Sequence, residues 1–406
     1  MIYLDNHATT RVAPEVLQAM LPYFSEDYGN AASVNHAFGW QAAEAVERAR
    51  EQIARRLNCP PNWIVFTCGA TEANNLAIKG VINACRPVGR FSKPSEQPTS
   101  NTSAGLKNRP TNTGAAHFIT NAAEHHSVLD VTKRMQRNGI DVTVLPVDRF
   151  GQVDPQQLAD AIKPETVLVS VMLANNEVGT LSPILEVGQI CRERDVLLHC
   201  DAVQVLGKLP IDLQQLSVDL LSLSAHKLHG PKGVGTLVVR RDRRRIPIEP
   251  LFDGGGHEQH LRSGTLPVPL IVGFGAACEL TADILEVSDR MRQLRDQLWQ
   301  RLRTELSGLT LNGHPTERLP NNLNISVDGV DGEALMTSLK NIAVSSGSAC
   351  STAEPEPSHV LRAMGVSDPL SRASLRFGLS RYTTEAEIDN AVQEVVVVVS
   401  RLRGEH

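Results

Sequence analysis

At 406 residues the chain is too long for one small core, so two domains, or one large α/β domain with an appendage, are expected. It has 41% hydrophobic and 21% charged residues and a formal net charge of −5, an ordinary globular balance that gives no reason to expect a nucleic-acid or membrane partner. The seven cysteines are scattered, odd in number and form no Cys-x-x-Cys pair, which argues against a disulfide framework or structural zinc and for the reducing cytoplasm. No apolar run approaches bilayer-spanning length, and Met1 to His7 lacks the basic n-region and apolar stretch of a secretory leader.

Tyr3 to Asp5 reads as a short strand or extended arm. From Gly39 to Leu57 a helix is expected, because Val46, Ala49, Ile53 and Leu57 share one face. Trp63 to Thr67 is β-rich, and the glycine turn at Gly69 leads into a helix near Asn74 to Gly80. Strand, glycine turn, hydroxyl and helix start form an anion cradle, since the first helical N–H groups have no internal partner. From Arg86 to Ala115 small polar residues dominate and apolar periodicity vanishes, which predicts a solvated, flexible insertion.

Regular alternation then follows. Strands are expected at His117 to Thr120, Val142 to Leu145, Val167 to Leu173 and Val196 to His199. Helices separate them at Ser127 to Arg137, from Asp154-Pro155, and at Ile184 to Arg194. Leu220 to Leu223 and Thr236 to Val239 read as buried strands joined through Ser224-Ala-His-Lys227 and a Gly/Pro-rich turn. Such alternation, with polar residues after each apolar run, implies a mostly parallel sheet with its site at the C-terminal edge. Beyond Arg262 a long helix (Val272 to Leu306), strands at Asn322 to Val327 and Leu375 to Leu379, and helices at Glu333 to Leu339 and Glu385 to Arg403 suggest a second α+β domain.

Several residues carry chemical options. Lys227 at a strand end would be partly desolvated and available for a Schiff base, although taken alone a surface lysine on a hairpin is the better reading. His226 and His229 find no carboxylate or cysteine cluster to complete a metal site. Cys350 lies in Ser345-Ser-Gly-Ser-Ala-Cys350, an unusual setting for a residue normally buried as a small hydrophobe. An ordinary thiol there is only slightly ionised and would need activation.

Eight motifs in order give this chain a resemblance to the cysteine desulfurases of the NifS and IscS type, class V members of the fold-type-I pyridoxal-phosphate enzymes. They are Tyr3-Leu-Asp-Asn-His-Ala-Thr-Thr, Gly69-Ala-Thr-Glu, Glu124-His125, Asn175-Asn-Glu, Asp201-Ala-Val-Gln204, Ser224-Ala-His-Lys227, Arg262-Ser-Gly-Thr265 and the Cys350 segment. The resemblance covers nearly everything except the insertion. It implies an α/β fold with a large domain at 16–261 and a small α+β domain made of 1–15 and 262–406.

The resemblance further implies that Lys227 carries pyridoxal 5′-phosphate and moves the substrate Cα proton, while Asp201 pairs with the ring nitrogen and His125 stacks on the ring. Asn176 and Gln204 would bond the phenolic oxygen and its surroundings, with Asn176 also near the substrate. Ala70, Thr71, Ser224 and His226 would hold the phosphate, and Thr265 would reach the phosphate of a neighbouring subunit in a homodimer. Arg376 is the candidate for the substrate carboxylate. L-cysteine would become L-alanine while Cys350 takes the sulfur as a persulfide for an iron–sulfur scaffold or a tRNA-thiolation relay. With a scaffold docked, Cys350 could transiently ligate its nascent cluster. His406 closely follows the last helix, so the long tail of IscS-type members is not expected.

The rival readings are a selenocysteine lyase or aminotransferase of the same class, and a non-catalytic relative. A nucleotide-binding dehydrogenase is poorly supported, because Gly69-Ala-Thr-Glu lacks the Gly-x-Gly-x-x-Gly spacing.

Overall fold

The computed structural model describes residues 1–85, 116–346 and 357–405. The insertion expected at 86–115 and Cys350 therefore lie outside the described residues. Its strands are β1 (Ile2–Tyr3), β2 (Ile64–Thr67), β3 (His117–Asn121), β4 (Asp141–Leu145), β5 (Thr166–Ser170) and β6 (Leu197–Asp201). They continue as β7 (Leu220–Ser224), β8 (Gly235–Val239), β9 (Leu309–Asn312), β10 (Asn322–Val327), β11 (Ile342–Ala343) and β12 (Ser374–Gly378).

Seven strands form one sheet in the order β2-β8-β7-β6-β5-β3-β4. Strand β8 runs antiparallel to both β2 and β7, and the remaining pairs are parallel. The C-terminal ends of β2, β3, β5, β6 and β7 consequently share one edge, to which β8 brings its N-terminal end. Strands β2, β3, β5, β6, β7 and β8 are buried along their whole length, which is why they read as apolar-rich segments without a clean inside–outside alternation. Apolar clusters cover both faces. One contains Ile53, Phe66, Val169, Leu198 and Phe274; the other contains Leu76, Phe118, Leu168 and Leu237.

A third cluster joins Leu4 to Leu298, Ile325, Phe377 and Val395 around the antiparallel sheet β12-β10-β9. The N-terminal arm enters this cluster through β1, which pairs in parallel with β11. The terminal helix Glu385–Arg403 starts in a capping box made by Thr384 and Glu387 and stops at a left-handed Gly404. The valine run Val395 to Val399 is therefore helical, held between strong stop signals.

The long helix expected from Val272 is instead two helices, Val268–Glu279 and Ile284–Glu305, joined by a 3-10 turn at Leu280–Asp283. Thr281 Oγ1 donates to Cys278 O at 2.7 Å, and the Arg381 guanidinium takes the Leu280 carbonyl and pairs with Asp283 at 2.8 Å. These side chains compete for the carbonyls that would continue a straight helix. Among the described residues this run is the one stretch long and apolar enough, by length and composition, to cross a membrane, contrary to the sequence expectation. Here Ile271, Phe274 and Ala277 pack instead into the sheet's cluster, beside the helix Ala37–Leu57.

Candidate active site

A cavity of about 480 Å³ opens at the shared strand edge. Its lining includes Ala70, Thr71, His125, Asn176, Asp201, Gln204, Ser224, His226, Lys227 and Arg376, together with His7. Ten residues singled out in the sequence thus meet in one place. Thr265 does not: it is exposed and lies outside this lining.

Lys227 ends a single 3-10 turn, Ala225–Lys227, that follows β7 directly. Leu228 N and Gly230 N both donate to Ala225 O at 3.0 Å, closing the turn. Lys227 Nζ points back toward the N-terminal arm and donates to His7 O at 2.5 Å and Ala8 O at 2.8 Å. The arm is fixed there by Thr10, whose N and Oγ1 both bond His226 O, at 2.9 and 3.0 Å.

Asp201 closes β6 and is almost fully buried. Its carboxylate accepts from Asn74 Nδ2 at 2.8 Å and from Val203 N at 3.1 Å, and no cation pairs with it among the described residues. Asn74 Nδ2 also donates to Ser127 Oγ at 2.8 Å, and Ser127 Oγ lies 2.8 Å from His125 Nδ1. His125 is the N-cap of the helix His126–Arg137, where its Nδ1 accepts Ser127 N at 3.1 Å. An accepting Nδ1 leaves the neutral ring's proton on Nε2. Burial, chiefly, holds the His125 pKa below the ordinary range, against the pull of Asp201.

Beneath this network lies Glu124, fully buried. Its Oε1 accepts from Met172 N at 2.6 Å and Asn121 Nδ2 at 2.7 Å, and its Oε2 is without a partner. Burial and the Asp201 charge push its pKa up to about 8. Glu177, also buried, accepts from Ser358 Oγ and is pushed up to about 7. His226 falls to about 4 through burial and then the nearby lysines, so its ring is neutral.

The helix Ala70–Ala84 aims its N-terminus at the cavity, and no side chain caps it. Gly69, its N-cap, has φ +151°, a conformation that residues with a Cβ rarely adopt. A Cβ on the facing Gly235 would stand 2.8 Å from the Gly69 backbone and 2.5 Å from Leu223 O, so glycine is required for β8 to pass this turn. Glu72 accepts from Cys68 N at 2.7 Å and from Arg262 Nε at 3.1 Å, tying the Arg262 loop to the same helix start. The result is a cradle of free backbone N–H groups with Ser224 and His226 opposite.

Arg376, in β12, crosses from the smaller sheet into the cavity. Its Nη2 pairs with Asp5 at 2.9 Å, its Nη1 donates to Asn176 O at 3.1 Å, and its Nε is buried without a partner. Gln204 lines the cavity and is held by the N-terminal arm. Its Oε1 lies 3.0 Å from His7 Nδ1 and its Nε2 donates to His7 O at 3.0 Å, which leaves His7 Nε2 buried and unpartnered beside the cavity. His7, Asn74 and Glu124 are members of the site to which sequence reasoning gave no role. The signal for His7 and Glu124 was their place in quoted motifs, and for Asn74 its place just after the cradle.

The Aminotransferase class-V family profile matches residues 2–91 and 99–391. The chain belongs to the class V aminotransferase family. The chain is 49% identical over 403 residues to a cysteine desulfurase IscS of Anaeromyxobacter sp. (strain Fw109-5), covering 99% of this chain and 93% of that protein. It is 44% identical to the human cysteine desulfurase, covering 99% of this chain and 82% of that one. Among solved structures, a NifS-like protein superposes with a TM-score of 0.85 at 36% identity, covering 99% of this chain and all of that one. A structure titled SspA in complex with cysteine gives 0.77 at 35% identity, covering 95% and 100%.

Class V enzymes depend on pyridoxal 5′-phosphate, and the residues of this class V chain fit it. The uncapped helix start suits a phosphate, and the buried Asp201 carboxylate without a cation suits a protonated ring nitrogen. Lys227 lines the same cavity. Cys59, Cys68, Cys191, Cys200 and Cys278 are free thiols. Burial raises the thiol pKa of each one for which a shift is resolved, to about 11 even for the exposed Cys68 at the cavity rim. Among the described residues, no three His, Cys, Asp or Glu side chains converge as a metal site.

Proposed function

We propose that this chain is a cysteine desulfurase that removes sulfur from L-cysteine and leaves L-alanine. The observation carrying this reading is the buried, cation-free Asp201 facing the Lys227 cavity beside an uncapped helix N-terminus. In this reading Lys227 holds the cofactor through Nζ, Asp201 its ring nitrogen, and Ala70, Thr71, Ser224 and His226 its phosphate. When bound, the cofactor supplies an electron sink for charge developing at the substrate Cα.

The protein's own groups do the rest. Arg376 orients the substrate carboxylate through the buried part of its fork, with Asn176 alongside. Lys227 takes and returns the Cα proton, and His125, protonated on Nε2, serves protons within the cavity. Cys350, as thiolate, attacks the substrate sulfur. The substrate C–S bond breaks, an S–S bond forms on Cys350, and the bonding electrons remain with the carbon fragment, which is protonated and leaves as alanine. The Cys350 persulfide then donates its sulfur to an iron–sulfur scaffold or another acceptor, and Cys350 could bridge briefly to a nascent cluster there.

The same reading divides the chain into a large cofactor domain (16–261) and a small domain (1–15 with 262–406). The helix Val268–Glu279, which this division assigns to the small domain, packs into the large sheet's cluster. It also makes the chain a cytoplasmic homodimer in which Thr265, exposed and outside its own cavity, serves the neighbouring subunit. The test is alanine release from L-cysteine by the cofactor-loaded protein. Lys227→Ala and Cys350→Ser should each abolish it, whereas full release by Cys350→Ser would move the chain to another class V reaction.

A further inference from the structure

Behind Lys227 lies a second lysine without a role in the reading above. Lys208 closes the turn at 203–208 that follows β6, and its side chain is buried. Gly207, at φ +81°, makes this approach feasible, since a Cβ there would sit 2.8 Å from Leu228 Cβ. Ser288 Oγ holds the Lys208 carbonyl from the helix Ile284–Glu305. At the far end Lys208 Nζ donates to the backbone carbonyl of Lys227 itself, at 2.5 Å.

The surroundings make this contact unusual. A buried lysine is normally paired with a carboxylate. Among the described residues Lys208 has no ion-pair partner, and Lys227 O is the one acceptor that its Nζ contacts. The titratable groups facing it are Lys227, His7, His226 and His229, none of them acidic. His7, His226 and His229 are themselves held neutral, chiefly by burial. Lys208 therefore meets the Lys227 turn as a buried amine with no acidic group beside it among the described residues.

We propose that Lys208 is a positioning residue for Lys227: it clamps the turn carrying Lys227 through its carbonyl and, as a neighbouring cation, favours the uncharged form of the Lys227 nitrogen. Two nearby amines in a dry site cannot both hold a proton at low cost, so each makes the other a better base. Burial, and secondarily Lys227, already bring the Lys208 pKa down to about 7. This arrangement would keep a nucleophilic, proton-accepting Lys227 available near neutral pH.

The inference rests on Lys227 as the cofactor-bearing lysine, and its test separates the two claims. The cofactor-loaded enzyme is titrated across pH while its visible absorption is followed, in the parent chain and in Lys227→Ala, Lys208→Met, Lys208→Gln and Lys208→Arg. Loss of the lysine-bound band in Lys227→Ala supports the assignment of Lys227, and its persistence there defeats that assignment. Given that band, Lys208→Met and Lys208→Gln should raise its pH midpoint by about half a unit or more, because a neighbouring positive charge is gone. Lys208→Arg should keep the midpoint near the parent value. Gln retains a donor for Lys227 O, so a shift in Gln as large as in Met assigns the effect to charge. If Met fails to fold, Gln alone carries the test. An unmoved midpoint in a folded, cofactor-loaded Lys208→Gln protein overturns the proposal.

Discussion

Replacing Asp201 by Asn removes one charge and almost no volume, and the structure indicates what should follow. The carboxylate is held by Asn74 Nδ2 at 2.8 Å and Val203 N at 3.1 Å, both donors, so an amide at position 201 confronts one of them with its own NH2. The buried Asn74 Oδ1 has no partner, and a flip of the Asn74 amide would offer it to the new NH2. Ser127 Oγ would then face the same oxygen instead of Nδ2, and its bond to His125 Nδ1 would loosen. Folding stability should therefore change by no more than about 1 kcal/mol, since a buried charge is also removed. Catalysis should suffer more. A hydrogen bond to a charged group is worth about 1.5–3 kcal/mol, or roughly 10- to 150-fold in rate, and the disturbed His125 adds to that. The assay is alanine release at saturating cofactor, beside urea unfolding of the same preparation. An Asp201→Asn enzyme within about threefold of the parent would refute the role given to Asp201. An activity loss matched by loss of fold would show that the residue acts through structure alone.

Other consequences can be checked directly. Glu258 accepts from Arg50 Nη2 and Nη1, at 2.8 and 2.9 Å, and from Phe66 N at 2.9 Å, all buried; Glu258→Ala should lower unfolding free energy by about 3–5 kcal/mol in urea titrations, and a loss under about 1 kcal/mol would contradict that. Because the folded pKa of Glu124 is raised from 4.5 to about 8, the native state keeps a proton that the unfolded chain has released. Stability should thus fall as pH rises through that window, and Glu124→Gln should flatten the fall in melting temperature between its two ends. Arg376→Lys should raise KM for L-cysteine by about tenfold or more, because an ammonium cannot serve Asp5, the Asn176 carbonyl and a carboxylate together. An unchanged KM would remove Arg376 from the substrate site.

Much of this site could be read in the chain because its residues follow buried strands. Asp201, Ser224 and Lys227 come directly after apolar runs that only a sheet covered on both faces requires, so the strand ends betray the site. His7 and Lys208 were not legible as partners of Lys227. Their contacts span 220 and 19 residues and depend on the N-terminal arm and a glycine turn folding onto one 3-10 turn. Both ends of the Gln204 amide bond His7, a pairing no local pattern encodes. The break at Leu280–Asp283 was hidden for a similar reason, since its cause is Arg381, about a hundred residues away. Short elements such as Pro14–Met20 and β9 carry too few residues for a period to emerge.

The central claim is that sulfur from L-cysteine passes to Cys350 while alanine leaves the Lys227 site. A single turnover with limiting L-cysteine, followed by alkylation and mass spectrometry of the Cys350 peptide, tests it most directly. The account predicts one added sulfur on Cys350 for each alanine released, and neither product from Lys227→Ala. Alanine formed in equal amount with Cys350 unmodified, and with the sulfur released elsewhere, would contradict it.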